Sequence, residues 1–160
     1  MKALLLMLTL LAAPAAAQTA TAPPPPKAPA PGSPATYKSE QELLEVLKKA
    51  TARGGMTTSN VSTTDQYSIN VVHRDKPAGA IAHAGNTELH YIIEGSATVV
   101  TGGKLVRGAT AGNGTIDGGE TRHVKKGDVV IVPENSAHWY KEIDGAITYL
   151  EVRWLAPPAK

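Results

Sequence analysis

The chain has no cysteine and no phenylalanine among its 160 residues, and its aromatic share is only 4%. Without thiols it can form no disulfide framework, no Cys-ligated zinc site, no iron–sulfur cluster and no thiol nucleophile. Any metal must be held by His, Asp, Glu or Tyr. Without Phe, stacking on a ligand falls to two Trp and five Tyr. An excess of one charge is missing too. The formal net charge is +2, falling to +1 when Lys2 leaves with a leader peptide. Basic residues are scattered apart from Lys48-Lys49 and Lys125-Lys126. That leaves no counterion footprint for nucleic acid and no basic amphipathic membrane helix.

Long apolar runs are absent except at the start. Met1-Lys2 precedes an apolar stretch from Ala3 to Ala13, and Ala15-Ala16-Ala17 before Gln18 makes a small-x-small cleavage pattern. In order and proportion this is a secretory signal peptide over 1–17, too short for a comfortable membrane span. No Cys follows it, so lipoprotein attachment is excluded. The expected location is the periplasm or the outside of the cell, with no stable membrane insertion after cleavage. From 18 to 36, seven of nineteen residues are Pro. Proline fixes φ and removes a donor, so this stretch is expected to be an extended, disordered linker. About 124 residues remain, from 37 to 160, enough for one small domain.

Ser39-Glu40-Gln41-Glu42 is a capping-box pattern, followed by Leu43, Leu44, Val46 and Leu47 at helical spacing and by Gly54-Gly55. This predicts one helix over 39–53. The period then changes to two. Tyr67, Ile69 and Val71 alternate with polar residues, and six more short runs follow: 88–94, 97–101, 120–125, 129–132, 138–143 and 146–154. Glu94-Gly95, Gly102-Gly103, Asp117-Gly118-Gly119, Lys126-Gly127-Asp128 and Asp144-Gly145 read as turns between them. Seven short strands predict an all-β sandwich or barrel over about 56–154, with a Gly- and Ala-rich loop from Arg107 to Thr115. Val129 to Val132 does not alternate. It is expected to be covered on both faces, by a second subunit in a homodimer.

Two segments carry a family pattern. In the first, His83 stands five residues before Glu88, and Glu88 is separated from Gly95 by six residues. In the second, Gly127 is followed after five residues by Pro133-Glu134-Asn135 and, two residues on, by His138. Together they resemble the paired motifs of the cupin superfamily: His-x-His, Glu and Gly, then Gly, Pro-x-Gly and His. The resemblance covers roughly 67–154, and 31 residues separate the motifs. It implies a double-stranded β-helix, or jelly-roll barrel, preceded here by one helix. Asn135 replaces the second motif's Gly, a mild exchange because Asn tolerates positive φ. The first motif departs further. Counting back from Glu88, the family's first His falls at Ile81, or else the second falls at Gly85. Glu142 stands where the family often has Asn.

The resemblance implies a metal site on His83, Glu88 and His138, a two-imidazole, one-carboxylate set suited to Fe, Mn, Ni or Zn. His90 shares a strand face with Glu88 and is the candidate for the missing ligand. Tyr140 shares a face with His138, and Tyr140 and His90 are the candidate proton-moving residues. His73 sits on the face of Ile69 and Val71 and is a weaker inward candidate, while His123 reads as solvent-exposed. Three functions remain open at this point. One is a metal-dependent enzyme of oxygenase, lyase or isomerase type acting on a small molecule. Another is a non-catalytic ligand-binding or sensing module with a degenerate metal site. The third is a structural unit with a vestigial pocket.

Overall fold

The first described element is helix α1 (Glu40–Lys49). Its start is as predicted: the Ser39 side chain accepts from the Glu42 N–H and the Glu42 side chain accepts from the Ser39 N–H. Its end is earlier than the predicted 53, because Ala50 is extended at φ −79 and ψ 149. The segment after Lys49, Ala-Thr-Ala-Arg, offers no large apolar side chain to reward another turn against a sheet. The computed structural model describes residues 31–155 apart from positions 33, 51, 53, 54 and 111. The predicted leader and residues 18–30 of the linker lie outside the described residues.

Eight strands follow: β1 (Met56–Thr63), β2 (Tyr67–Arg74), β3 (Asn86–Thr101), β4 (Lys104–Val106), β5 (Thr115–Asp117), β6 (Glu120–Lys125), β7 (Val129–Val132) and β8 (His138–Leu155). All pairings are antiparallel. The order β1-β2-β8-β3-β6, with β7 also on β3, forms the barrel wall, and β4-β5 is a separate hairpin. β1 was not foreseen, since MTTSNVST carries little apolar alternation. The predicted loop 107–115 gives up only Thr115 to a strand.

Two expected turns are not turns. Glu94-Gly95 lies inside β3, and Asp144-Gly145 lies inside β8. Register shifts at Ile92/Glu94 and Gly95/Ala97 bend the paired strands there instead. Gly95 is required at this bend. Its φ is 79, and an added Cβ would stand 2.0 Å from the Ala146 carbonyl oxygen of the partner strand.

The registers of β2, β8 and β3 stack their inward residues in levels. At the mouth, Arg153 lies opposite Ser68 on one side and Glu88 on the other; one level deeper, Glu151 lies opposite Asn70 and His90. The next level is Val72, Tyr149 and Ile92. From there down the interior is apolar: Val72, Ile92, Ala97, Val99, Val124, Tyr140, Ile147 and Tyr149 form one buried cluster. Full burial of each large member contributes roughly 1.5–3 kcal/mol.

The expectation that both faces of 129–132 are covered is not met within one chain. Val132 is buried, but Val129 is 53% and Ile131 59% exposed. The short strand turns only Val130 and Val132 inward, and no described element crosses its outer side. His73 is not inward either. Val72 and Arg74 take the barrel side of β2, so His73 lies on the side facing α1, where its Nδ1 is 2.9 Å from Thr148 Oγ1.

Candidate metal centre

Glu88 is the hub. It rises from β3 into the barrel and is 1% exposed. Its Oε1 lies 3.4 Å from His83 Nε2 and its Oε2 lies 3.5 Å from His138 Nε2 and 3.2 Å from His90 Nε2. His83 comes from the segment before β3. Its carbonyl accepts from the Asn135 N–H at 2.9 Å, and Asn135 has φ 61. The Pro133–His138 loop therefore positions both flanking histidines. His138 opens β8, bridges Ile81 and is 5% exposed. Ile81 thus serves the backbone, and His83 is the imidazole that reaches the centre.

His90 sits one level deeper and is 2% exposed. Its Nδ1 is 3.0 Å from the Tyr140 hydroxyl, and its ring lies 4.7 Å from that of Tyr149. Tyr140 and Tyr149 stack at 5.0 Å and 3°, and the Arg74 Nε donates to the Tyr149 hydroxyl. This pair floors the polar compartment. Burial pushes the Tyr149 phenol up to about 12 and raises Tyr140 well above its ordinary value, so both remain protonated. With His90 Nε2 donating to Glu88, its Nδ1 accepts the Tyr140 proton; with Nε2 on a metal, Nδ1 donates to the phenol oxygen.

Burial lowers the His138 imidazole to about 4, with the Glu88 charge opposing, so it is neutral at pH 7 with a lone pair to offer. Burial alone would raise the Glu88 carboxyl. The His90 hydrogen bond and the nearby positive groups, Arg153 among them, outweigh that and hold it below its ordinary value.

Two groups of donors converge: His83, Glu88 and His138, and Glu88, His90 and Glu151. Within each, the atoms lie within 4.8 Å of one another. All four sequence-predicted ligands therefore meet around one carboxylate. The chemistry suits a divalent ion. Glu88 Oε1 is buried and accepts no well-aligned hydrogen bond, although Arg153 Nε lies 3.2 Å away, and a metal ion would complete its coordination. Glu151 and Arg153 were not foreseen. Their signal was the alternation Tyr149, Glu151, Arg153 along an inward strand face. Glu142 is exposed and takes no part, as is His123, 57% exposed and 3.6 Å from Asp144. Trp139 donates to the Ala78 carbonyl at 2.6 Å, a packing role.

Residues 42–150 match the Cupin family. The chain belongs to the cupin family. No curated protein sequence matches it. Among solved structures, it resembles the Cnp3 cupin domain of Schizosaccharomyces pombe at 16% identity and TM-score 0.52, over 69% of this chain and 72% of that one. KdgF from a Halomonas species aligns at 16% identity and TM-score 0.50, over 68% and 86%. An Fe(II) form of HppE aligns at 16% and TM-score 0.50, over 66% of this chain and 54% of its own. At such identities the likeness shows the cupin fold alone.

Proposed function

We propose that this cupin is an exported protein whose barrel binds one divalent transition metal and uses it on a small molecule. The observation that carries the metal is the convergence of His83, His90 and His138 on the buried Glu88 carboxylate, whose Oε1 accepts no well-aligned hydrogen bond. His83, Glu88 and His138 hold the ion, and His90, backed by Tyr140, replaces the ligand missing from the motif. A bound ion there polarises a carbonyl or enolate oxygen or activates water. Around it, the mouth admits the ligand past His83 and Arg153, the apolar floor excludes water, and the Tyr140 hydroxyl and His90 Nδ1, 3.0 Å apart, hold one proton between them. The test is metal analysis and titration of protein purified without chelator. Close to one equivalent is expected in wild type, and less than about a tenth, with none taken up, overturns the reading.

A second reading is a non-catalytic binding module. It is favoured by Arg153, whose guanidinium already lies 3.2 Å from Glu88 and 3.0 Å from Glu151 and partly satisfies both carboxylates without an ion. Turnover that vanishes in His138→Ala with the fold retained selects the enzyme.

Two further parts of the proposal concern context. Mature protein is expected to begin at Gln18, read by intact mass after secretion. A homodimer is expected through the outer face of β3 and β7, where exposed Tyr91 pairs with Val129 and half-buried Leu89 with exposed Ile131 in one apolar patch. Light scattering is expected to show twice the chain mass, and Ile131→Asp to halve it.

A further inference from the structure

At the barrel mouth Arg153 is 30% exposed, while the carboxylates beneath it are 1% and 7% exposed. Its Nε is buried between the Glu88 and Glu151 oxygens and makes a well-aligned hydrogen bond to neither. Its Nη2 donates to Glu151 Oε2 at 3.1 Å and approaches His83 Nε2 at 3.4 Å. On its outer side Arg153 lines a hollow of about 220 Å³ rimmed by Thr64, Gln66, Ser68 and Asn86. The one acid on that rim, Asp65, is exposed at the β1–β2 turn. Larger hollows of about 500, 510 and 410 Å³ lie beside α1 on the outer side of the sheet, and one of about 290 Å³ lies beside Ile81 and the loop after β4; none of them reaches Arg153, through which the 220 Å³ hollow adjoins the metal centre.

The charge balance of the interior is the second observation. Among the described residues, two carboxylates, Glu88 and Glu151, and two guanidiniums, Arg74 and Arg153, are buried or half-buried in the barrel. They cancel. A divalent ion on neutral imidazoles therefore leaves two positive charges uncompensated in a low-dielectric site, which is unfavourable unless an anion enters with it. The ion also takes over Glu88, which loosens the guanidinium's hold and frees part of a planar fork shaped for an oxyanion.

We infer that Arg153 anchors the carboxylate of the ligand, which makes the ligand a small organic acid anion that binds together with the metal. This rests on the metal-binding reading above. Acid and ion then raise each other's affinity, since each supplies the charge the other lacks. The hollow's size limits the acid to a few carbons, and its rim of hydroxyl and amide groups favours hydroxy- or oxo-acids.

The test uses the full mature chain and isothermal titration, with Zn²⁺ first and then acetate, glycolate, malonate and succinate, each beside its neutral amide. Zinc-loaded wild type is expected to bind at least one acid about tenfold more tightly than its amide and about tenfold more tightly than zinc-free protein does. Arg153→Met is expected to take up at least as much zinc, because a competing cation is gone, and to bind that acid about tenfold more weakly. Equal binding of acid and amide, equal binding by Arg153→Met, or no acid bound by zinc-loaded wild type overturns the inference. Where Arg153→Met does not fold, Arg153→Lys decides, since unchanged acid affinity without the fork overturns it. Zinc uptake is read before any acid is added, so failure of the metal reading is visible by itself. Acid binding by such zinc-free protein, lost on substitution of Arg153, still upholds the anchor, and its absence overturns it.

Discussion

The two halves of the barrel interior are built by the same three strands and obey opposite rules. Moving outward, β3 presents Ile92, then His90, then Glu88, and β8 presents Ile147, Tyr149, Glu151 and Arg153. β2 passes from Val72 to Asn70 and Ser68 at the same levels. The inner half gains from removing apolar area from water and tolerates no polar atom except through the Arg74–Tyr149 bond. The outer half sets two carboxylates at 1% and 7% exposure that are worth little unless each is partnered, and one Glu88 oxygen has the Arg153 guanidinium beside it but no well-aligned hydrogen bond. The Tyr140–Tyr149 stack divides them. The lesson is that stability and chemistry are separated by depth along each strand and not by element.

That division predicts which measurement each substitution moves. Ile92→Ala, in the apolar half, is expected to cost about 2–5 kcal/mol of unfolding free energy by denaturant titration while leaving metal stoichiometry unchanged. A loss of metal with stability retained breaks the comparison. Acid is expected to act only on the polar half. In metal-free protein His138 has its folded value near 4 against an ordinary 6.5. The unfolded chain takes the proton first, so the contribution is fully present above 6.5 and is lost as pH falls toward 4, by at most about 3 kcal/mol. Glu88, lowered from 4.5, adds a loss in the same direction below that value. Thermal melts from pH 7.5 to 4 check this, and the increment due to Ile92→Ala is expected to stay constant across the range.

Glu88→Gln keeps shape and removes the hub charge. Metal affinity is expected to fall by more than about 100-fold in titration, beyond the range of outer partners. Tyr140→Phe sits on the boundary and sharpens it. Removing the hydroxyl that orients His90 is expected to lower metal affinity by about tenfold with little change in melting temperature.

Much of the centre was legible in the chain because cupin motifs are local. His83, Glu88, Gly95, Gly127, Pro133 and His138 sit at spacings that a hairpin and a tight loop impose, and Asn135 takes the positive φ its position implied. His90 was legible from strand alternation with Glu88. Gly95 and Gly145 misled, because a glycine that permits a turn through positive φ also permits a bend within paired strands, and at Gly95 a Cβ would stand 2.0 Å from the Ala146 carbonyl oxygen. Glu151 and Arg153 were passed over for a different reason. Their strand pairs with β2 across 81 residues between Asn70 and Glu151, and no local pattern announces that partner.

Composition and strand period alone determined that this chain is thiol-free and rich in short strands, and its two local motifs carried the resemblance to cupins that implied a barrel with imidazoles and a carboxylate brought together, since turns, periods and motifs are read within short stretches of chain. Register between distant strands decided the rest. It set Arg153 over Glu88, left one carboxylate oxygen without a well-aligned hydrogen bond and balanced the interior charge, and such long-range pairings depend on how the whole sheet closes.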